Sequence, residues 1–206
     1  MKVILVNGSP HQYGCTYTAL SEISNTLQQE QIETEIFWVG AKPISGCIAC
    51  KGCFKTGNCV INDTVNAFLE KANDADGFIF GSPVHYAGAS GMLTSFMDRA
   101  FYHKAGLYQG KPAAAIASCR RGGASATFDQ LNKYFTICSM PVVSSQYWNM
   151  VHGNTPDEVK QDLEGLQTMR TLGRNMAWIL KCIEAGKNAG IEFPIHEEKI
   201  ATNFIR

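Results

Sequence analysis

Short apolar runs alternate along the chain with longer segments in which apolar residues recur every three or four positions. Residues 2–6 form an apolar run rich in β-branched side chains, which is typical of a strand buried on both faces, and residues 77–83 predict another buried strand around an aromatic and isoleucine stretch. Residues 112–118 form a third run, made of small side chains. Residues 33–39 alternate between polar and apolar positions and predict another strand, and residues 140–148 predict a fifth.

The segments between these runs have apolar residues at helical spacing and predict helices. They start at about residue 16, at residue 62 or 63, and at about residues 90 and 124. Thr155 and Pro156 are the residue types favoured at an N-cap and at the first helical position. They predict one long final helix that ends near residue 184.

Strands that alternate with helices predict right-handed βαβ units and a parallel sheet. We therefore expect an α/β fold, a flavodoxin-like three-layer sandwich with a five-stranded parallel sheet in the order 2-1-3-4-5 and helices on both faces. Since the sequence has no internal repeat or linker, residues 1–206 are expected to form a single domain with a cysteine-rich loop at 46–60 and an extended tail at about 187–206. The apolar residues of the tail are expected to pack, for example on a partner subunit: Phe193, Ile195, Ile200, Phe204 and Ile205.

Charge and composition exclude some classes of partner. Eighteen basic residues balance eighteen acidic ones, so no strong field attracts nucleic acid or an anionic membrane. No apolar stretch has the roughly 18 residues of a membrane-spanning helix, and the apolar start of the chain is too short for a signal peptide. We expect a cytoplasmic protein with few structural disulfides, in which Cys138 and Cys182 are buried, inert thiols.

Three predicted strands end in loops with unusual residues, at the edge where doubly wound sheets bind ligands. In residues 7–16, small and hydroxyl-bearing side chains precede a helix start, whose free N–H groups and dipole favour an anion. Ser9, Thr16 and Thr18 can add hydroxyl donors. The loop matches neither a dinucleotide-binding nor a Walker motif, so it predicts a site for a single phosphate. An ordinary capped turn is the alternative.

The other two loops predict a flat slot with a cationic rim. Residues 81–91 are rich in glycine and proline, which lets a flat ligand approach the backbone, and His85 and Tyr86 would form an aromatic wall. In residues 117–127, two adjacent arginines suit a carboxylate, a phosphate or a carbonyl edge. Together the loops predict a mononucleotide with a planar ring, for which FMN is the leading candidate. A rigid turn and a solvated basic pair are the alternatives.

The sequences GSPHQYGCT, GSPVHYAGASGMLTSFMDR and CRRGG resemble the NADPH-dependent FMN reductase branch of the flavodoxin-like superfamily, over about residues 1–153. His11 stands where that family usually has arginine, and Cys15 where it usually has asparagine. The resemblance implies three sets of cofactor-binding residues. Those around the FMN phosphate are Ser9, Pro10, Gln12, Gly14, Cys15 and Thr16. Those beside the isoalloxazine are Pro83, Val84, His85, Tyr86, Ala87 and Gly88, and those on the other side of the ring are Ser118, Cys119, Arg120 and Gly123.

Four cysteines with the spacing C-x2-C-x2-C-x5-C follow the second predicted strand: Cys47, Cys50, Cys53 and Cys59. The run is similar to the compact motif of iron–sulfur flavoproteins, which implies a [4Fe-4S] cluster beside the FMN of a homodimer or homotetramer. The short gaps let three thiolates reach one face of such a cluster. Zinc, a redox-active disulfide and free thiols stay open as alternatives, because closely spaced cysteines serve all three.

The resulting hypothesis is an FMN-dependent NAD(P)H oxidoreductase that passes electrons to a quinone-like or aromatic small-molecule acceptor or to the cluster. No residue is assigned as a certain catalyst, because the cofactor carries the chemistry. His85, Tyr86 and Arg120 are candidates for orienting the flavin or the second substrate, and residues 147–149 for a substrate wall. Two alternatives stay open: an iron–sulfur electron carrier that uses a ferredoxin-like partner and no NAD(P)H, and a binding module whose thiols sense redox state.

Overall fold

The computed structural model describes residues 1–103, 105–198 and 200–202. Its strands are β1 (Lys2–Asn7), β2 (Glu33–Trp38), β3 (Gly77–His85), β4 (Gly88–Ala89), β5 (Ala113–Cys119) and β6 (Met150–His152). Its helices are α1 (Cys15–Gln29), α2 (Cys53–Thr56), α3 (Thr64–Ala72), α4 (Gly91–His103), α5 (Ala105–Tyr108), α6 (Ala124–Ile137), α7 (Pro156–Gln161) and α8 (Leu163–Asn188). None of the helices in these residues is both long and apolar enough to cross a membrane.

The long strands form one parallel sheet in the order β2-β1-β3-β5-β6, and the short β4 pairs antiparallel with β3. Apart from β4 this is the predicted order, so the doubly wound α/β architecture is confirmed. The register places Asn7 beside Gly81 and Pro83 beside Ser118. The carboxyl ends of β1, β3 and β5 therefore meet at one edge, where the loops with unusual sequences follow them.

Both faces of the sheet are buried, because successive side chains of a strand point to opposite faces. Ile4 and Phe80 belong to the core that includes residues of α3 and α4, whereas Leu5 and Ile79 belong to the core that includes residues of α1 and α8. The first core is aromatic, and Phe68 contacts four rings in it: Phe37, Phe78, Phe80 and Phe96. With both faces covered, the carboxyl edge is the place left for a ligand.

The fifth parallel strand is β6, at Met150–His152, and the prediction of residues 140–148 was wrong. Val142 forms only an isolated bridge to β5, and regular pairing resumes at β6. Just before β6, the buried Asn149 donates its side-chain amide to the Ala115 carbonyl at 3.1 Å. At Asn149 a side chain, and not the backbone, makes the hydrogen bond to β5. The alternation of polar and apolar residues that predicts a strand is therefore interrupted just before β6.

The predicted final helix is divided in two at Asp162. The Asp162 carboxylate accepts hydrogen bonds from the backbone N–H of Gly165 at 2.9 Å and of His152 at 2.6 Å. It therefore caps α8 and ties the start of that helix to β6. The predicted N-cap Thr155 and first residue Pro156 are confirmed, but for the short α7.

Part of the tail packs on its own chain at Gly110. The ring of Phe193 covers this glycine so closely that an added Cβ would lie 2.7 Å from a ring carbon. Two other apolar residues of the tail, Ile195 and Ile200, are exposed. Phe204 and Ile205 lie outside the described part of the chain.

The two cysteines expected to be inert differ in exposure. Cys138 is buried, as predicted, whereas Cys182 is exposed, so that prediction was wrong. On α8, Ala177 and Leu180 are buried. Cys182 comes two positions after Leu180 and so falls on a different face of the helix, because neighbours on one face are three or four positions apart.

Candidate functional site

A groove of about 780 Å³ lies at the carboxyl edge of the sheet. This is within the roughly 300–1,000 Å³ that is usual for cofactor and small-molecule sites. Most residues of the predicted FMN site line it, from three separate loops: Ser9, Pro10, Gln12, Gly14, Cys15, Thr16, Pro83, Val84, His85, Ser118, Cys119 and Arg120. The others do not line it, and these are Tyr86, Ala87, Gly88 and Gly123.

The first loop is held by the buried side chain of Asn7, at the end of β1. Its Oδ1 accepts from the Ser9 N–H at 3.1 Å, and its Nδ2 donates to the Gln12 carbonyl at 2.9 Å. At the start of α1, the N-cap Gly14 makes no side-chain cap hydrogen bond. The start of α1 therefore has no capping side chain, and its first N–H groups lie at the positive end of the helix dipole, where anions are favoured.

Hydroxyl groups connect the first loop to β5. Thr16 Oγ1 and Ser118 Oγ share a 2.8 Å hydrogen bond, and both residues line the groove together with Ser9. Burial raises the pKa of the Cys15 and Cys119 thiols. These thiols therefore stay neutral at pH 7 and place no negative charge beside an anion.

The second loop turns back through the β3–β4 hairpin, outside the groove. Tyr86 and Ala87 have φ angles of 50° and 59°, in the left-handed region, and Tyr86 is fully exposed. Ala87 lies so close to Gly123 that a Cβ there would be 2.6 Å from the Ala87 Cα. Ala87 and Gly123 thus hold the second and third loops together from outside, and His85 is the aromatic residue of the predicted wall that lines the groove.

A fourth segment of the groove, residues 153–156, was missed by the sequence prediction, as were the side chains of His11 and Trp38. The Trp38 indole N–H donates to a carbonyl of the first loop at 2.8 Å. Residues 153–156 follow β6, at the same edge as the other loops. A threonine–proline pair did mark the helix start there, but the strand before it was predicted too early in the chain.

Residues 147–149 do not form a wall of this groove. Tyr147 and Trp148 line a different cavity, of about 400 Å³, together with His152 and Asp162. Asn149 is buried and bonded to β5. Asn149 therefore supports the sheet, and the other two residues lie beside a neighbouring cavity; a place in a substrate wall stays a prediction.

The four clustered cysteines line one pocket with Arg99 and Tyr102, and these are Cys47, Cys50, Cys53 and Cys59. All four are free thiols; Cys47 and Cys50 are exposed and Cys53 is buried. Left-handed φ angles of 52° at Ala49 and 57° at Lys51 bend the chain on both sides of Cys50. In the described part of the chain, no three His, Cys, Asp or Glu side chains are grouped so that they could hold a metal ion.

The donor set of this pocket is the kind that binds iron–sulfur clusters. Cysteine thiolates are the usual ligands of cluster iron, and Lys51 and Arg99 in the same pocket supply positive charge. Asn66 fixes the last cysteine, because its side-chain amide accepts from the Cys59 N–H and donates to the Cys59 carbonyl, both at 2.9 Å. The residues present therefore fit a cluster in charge and in ligand chemistry.

The chain is similar to known flavin proteins in sequence and in fold. An iron-sulfur flavoprotein of Methanocaldococcus jannaschii is 36% identical over 192 residues, which cover 89% of this chain and 100% of that protein. Two solved structures share the fold. RosB with the bound intermediate 8-demethyl-8-formylriboflavin-5'-phosphate has a TM-score of 0.70 at 15% identity and covers 100% of this chain and 92% of its own. A flavodoxin from the domain Archaea has a TM-score of 0.60 at 18% identity and covers 88% and 99%.

The family model described as NADPH-dependent FMN reductase matches residues 1–155. This range includes the groove loops that follow β1, β3 and β5 and the whole cysteine run. The resemblance predicted from the sequence is confirmed, and the chain belongs to the NADPH-dependent FMN reductase family.

Proposed function

We propose that this protein is an FMN-dependent oxidoreductase that carries a [4Fe-4S] cluster on its cysteine loop and uses NAD(P)H as electron donor. The proposal is based on two binding sites on one chain. One is a groove of the size that cofactors occupy, and the other is a pocket lined by four thiols. The name iron-sulfur flavoprotein, given to a relative that is 36% identical, supports it. Electrons would pass from the flavin to the cluster or to a small aromatic acceptor.

The FMN phosphate is assigned to the start of α1. The N–H groups of residues 12–15 and the hydroxyls of Ser9 and Thr16 would bind it, in keeping with the positive end of the helix dipole there. The isoalloxazine is assigned to the space between residues 83–85 and 118–120, which line the same groove. Bound flavin supplies hydride and single-electron transfer, while the protein fixes its position and excludes water.

The four thiols of the cysteine loop are assigned as ligands of the cluster, which supplies one-electron transfer when bound. Cys47 and Cys50 are exposed, so the pocket is open to a second protein. The large apolar side chains of Ile48, Phe54 and Val60 are also exposed on this loop. A second subunit that covered these side chains would remove apolar surface from water, which favours the expected homodimer or homotetramer. The oligomeric state stays a prediction.

NADPH or NADH is expected to bleach the oxidised flavin absorbance when it is added without oxygen to the FMN-loaded protein. Arg120 lines the groove and is exposed, so its guanidinium is free to pair with a phosphate of the donor. Arg120→Ala is expected to raise the nucleotide concentration for half-maximal bleaching about tenfold, the loss of one charge-assisted hydrogen bond. Stopped-flow absorbance measures this.

Arg121→Ala is the matched control for this experiment, because Arg121 lines the neighbouring cavity and not the groove. It should bleach with the nucleotide dependence of the unmodified protein. Equal weakening in both variants would contradict the role of Arg120. A flavin that dithionite bleaches and neither nucleotide bleaches would contradict NAD(P)H as the donor.

A second candidate function is an electron carrier that serves a ferredoxin-like partner without NAD(P)H. The exposure of Cys47 and Cys50 favours it, because a one-electron partner has to approach the cluster closely. This candidate predicts that a reduced ferredoxin bleaches the flavin of the loaded protein under conditions in which NADPH and NADH do not. Bleaching by the nucleotides alone would reject it.

A further inference from the structure

Arg99 is a buried cation at the base of the cysteine loop. It lies on α4 and is only 3% exposed. Its guanidinium meets the Asp63 carboxylate as a fork, with Nη1 to Oδ2 at 2.6 Å and Nη2 to Oδ1 at 2.8 Å. Such a paired fork is the geometry in which arginine holds a carboxylate most strongly.

The other N–H groups of Arg99 bind the loop itself. Nη1 donates to the Ser45 carbonyl at 3.3 Å and Nη2 to the Ile61 carbonyl at 2.7 Å. Nε donates to the Cys59 sulfur at 3.3 Å. Every N–H of the guanidinium thus has an acceptor, and the carbonyls at Ser45 and Ile61 lie on opposite sides of the cysteine run. One side chain therefore ties down both ends of the loop and contacts the sulfur of its last cysteine.

We infer that Arg99 is a positioning residue that anchors the cysteine loop and sets the reduction potential of the cluster through its N–H contact to Cys59. This inference rests on the proposed function, because it takes Cys59 as a cluster ligand. A hydrogen bond to a ligand sulfur and a nearby positive charge both favour the more negative, reduced cluster, so they raise its potential. The carboxylate of Asp63, held beside Arg99, acts in the opposite direction.

The two members of the ion pair therefore have effects of opposite sign on the potential. Arg99→Gln removes the positive charge and the Nε donor but leaves the Asp63 carboxylate unpaired, so the potential falls. Asp63→Asn removes the negative charge, so the potential rises. Asparagine is also a good N-cap, which lets it keep the hydrogen bond that Asp63 Oδ1 accepts from the Val65 N–H at 3.0 Å. A loop that was merely loosened would shift the potential in the same direction in both variants.

The test is a redox titration of the cluster in the anaerobically reconstituted holoprotein, followed by electron paramagnetic resonance. Arg99→Gln is expected to shift the reduction equilibrium about tenfold toward the oxidised cluster, which is about 59 mV for a one-electron couple. Asp63→Asn is expected to shift it about threefold or more the other way. The control is Arg170→Gln, at a surface ion pair with Glu22 on α1 and α8, which should stay within about twofold of the unmodified protein.

Equal potentials in Arg99→Gln and Arg170→Gln, or shifts of the same sign in Arg99→Gln and Asp63→Asn, would overturn the inference. If Arg99→Gln does not hold a cluster, the sign of the Asp63→Asn shift decides between charge and loosening. Protein without iron in its unmodified form would overturn the cluster assignment and the effect on potential together.

The anchoring role is measured separately on the protein without iron, by trypsin cleavage after Lys51 and Lys55 in the loop. Arg99→Gln is expected to speed this cleavage about fivefold or more relative to Arg170→Gln, since exposed segments are cleaved faster when they lose their anchors. Unchanged cleavage would overturn the anchoring. A failure of the inference about Arg99 is therefore distinguishable from a failure of the proposed cluster.

Discussion

Cys50→Ser is expected to lower the bound iron from about four atoms per chain to less than one, while FMN stays bound. Cys50 lies in the middle of the run, where the backbone turns through left-handed angles at Ala49 and Lys51, and its neighbours in the loop cannot replace the lost thiolate. The side chain is exposed, so its replacement leaves the core unchanged, and it does not line the groove. Iron, sulfide and flavin assays after anaerobic reconstitution measure the result.

Cys182→Ser is the matched control, because Cys182 is also exposed but lies on α8, outside the run. It should keep the iron and flavin content of the unmodified protein. Full iron content in Cys50→Ser would contradict the assignment of the cluster to this loop. Loss of FMN together with iron would contradict the view that the loop and the groove bind their ligands separately.

Gly123→Ala is expected to destabilise the fold by about 2–6 kcal/mol and to weaken FMN binding. The φ angle of 93° at Gly123 costs any other residue about 1–3 kcal/mol. The new Cβ would also lie 2.6 Å from the Ala87 Cα and 2.9 Å from Val84 Cγ1, and such overpacking costs about 1–3 kcal/mol. The melting temperature should fall by roughly 4–24 °C, and the second and third loops should move apart beside the groove. Thermal unfolding and flavin titration measure the two effects.

Gly122→Ala is the control for this substitution. A Cβ at Gly122 meets nothing within 4 Å, and this glycine is not among those with positive φ. The free energy of unfolding of Gly122→Ala should stay within about 0.5 kcal/mol of that of the unmodified protein. Equal melting temperatures for the two variants would contradict the close contact between the second and third loops.

The parts of the fold that the sequence predicted are those set by local burial. Ile4 and Phe80 lie in stretches of consecutive apolar residues because both sheet faces are covered, and the parallel order follows from the alternation of strands with helices. The errors lie where a single side chain bonds to a distant backbone. The Asn149 side chain bonds to a backbone carbonyl of β5 that lies 34 positions earlier in the chain. The Asp162 carboxylate divides the last helix, because it caps α8 and also accepts from the His152 N–H. Neither interaction leaves a periodic pattern.

The candidate site likewise has residues that local sequence identifies and residues that only contacts between distant segments identify. Ser9, Thr16 and Ser118 could be grouped from the sequence because carboxyl ends of neighbouring parallel strands meet at one edge. Whether a loop residue lines the groove depends on where its backbone turns, and the left-handed angles that place Tyr86 in solvent are not readable from its type. Arg99 was visible only as part of a resemblance, since its contacts to the cysteine loop arise when α4 packs beside that loop.

The proposed electron transfer requires two redox groups on one chain. The measurement that tests it most directly is the visible spectrum of the unmodified protein purified without oxygen, together with iron, sulfide and flavin assays. We predict flavin bands on top of a broad cluster absorbance, with about four irons and four sulfides for each FMN. Flavin bands without iron would contradict the cluster on Cys47, Cys50, Cys53 and Cys59, and iron without flavin would contradict the assignment of the groove.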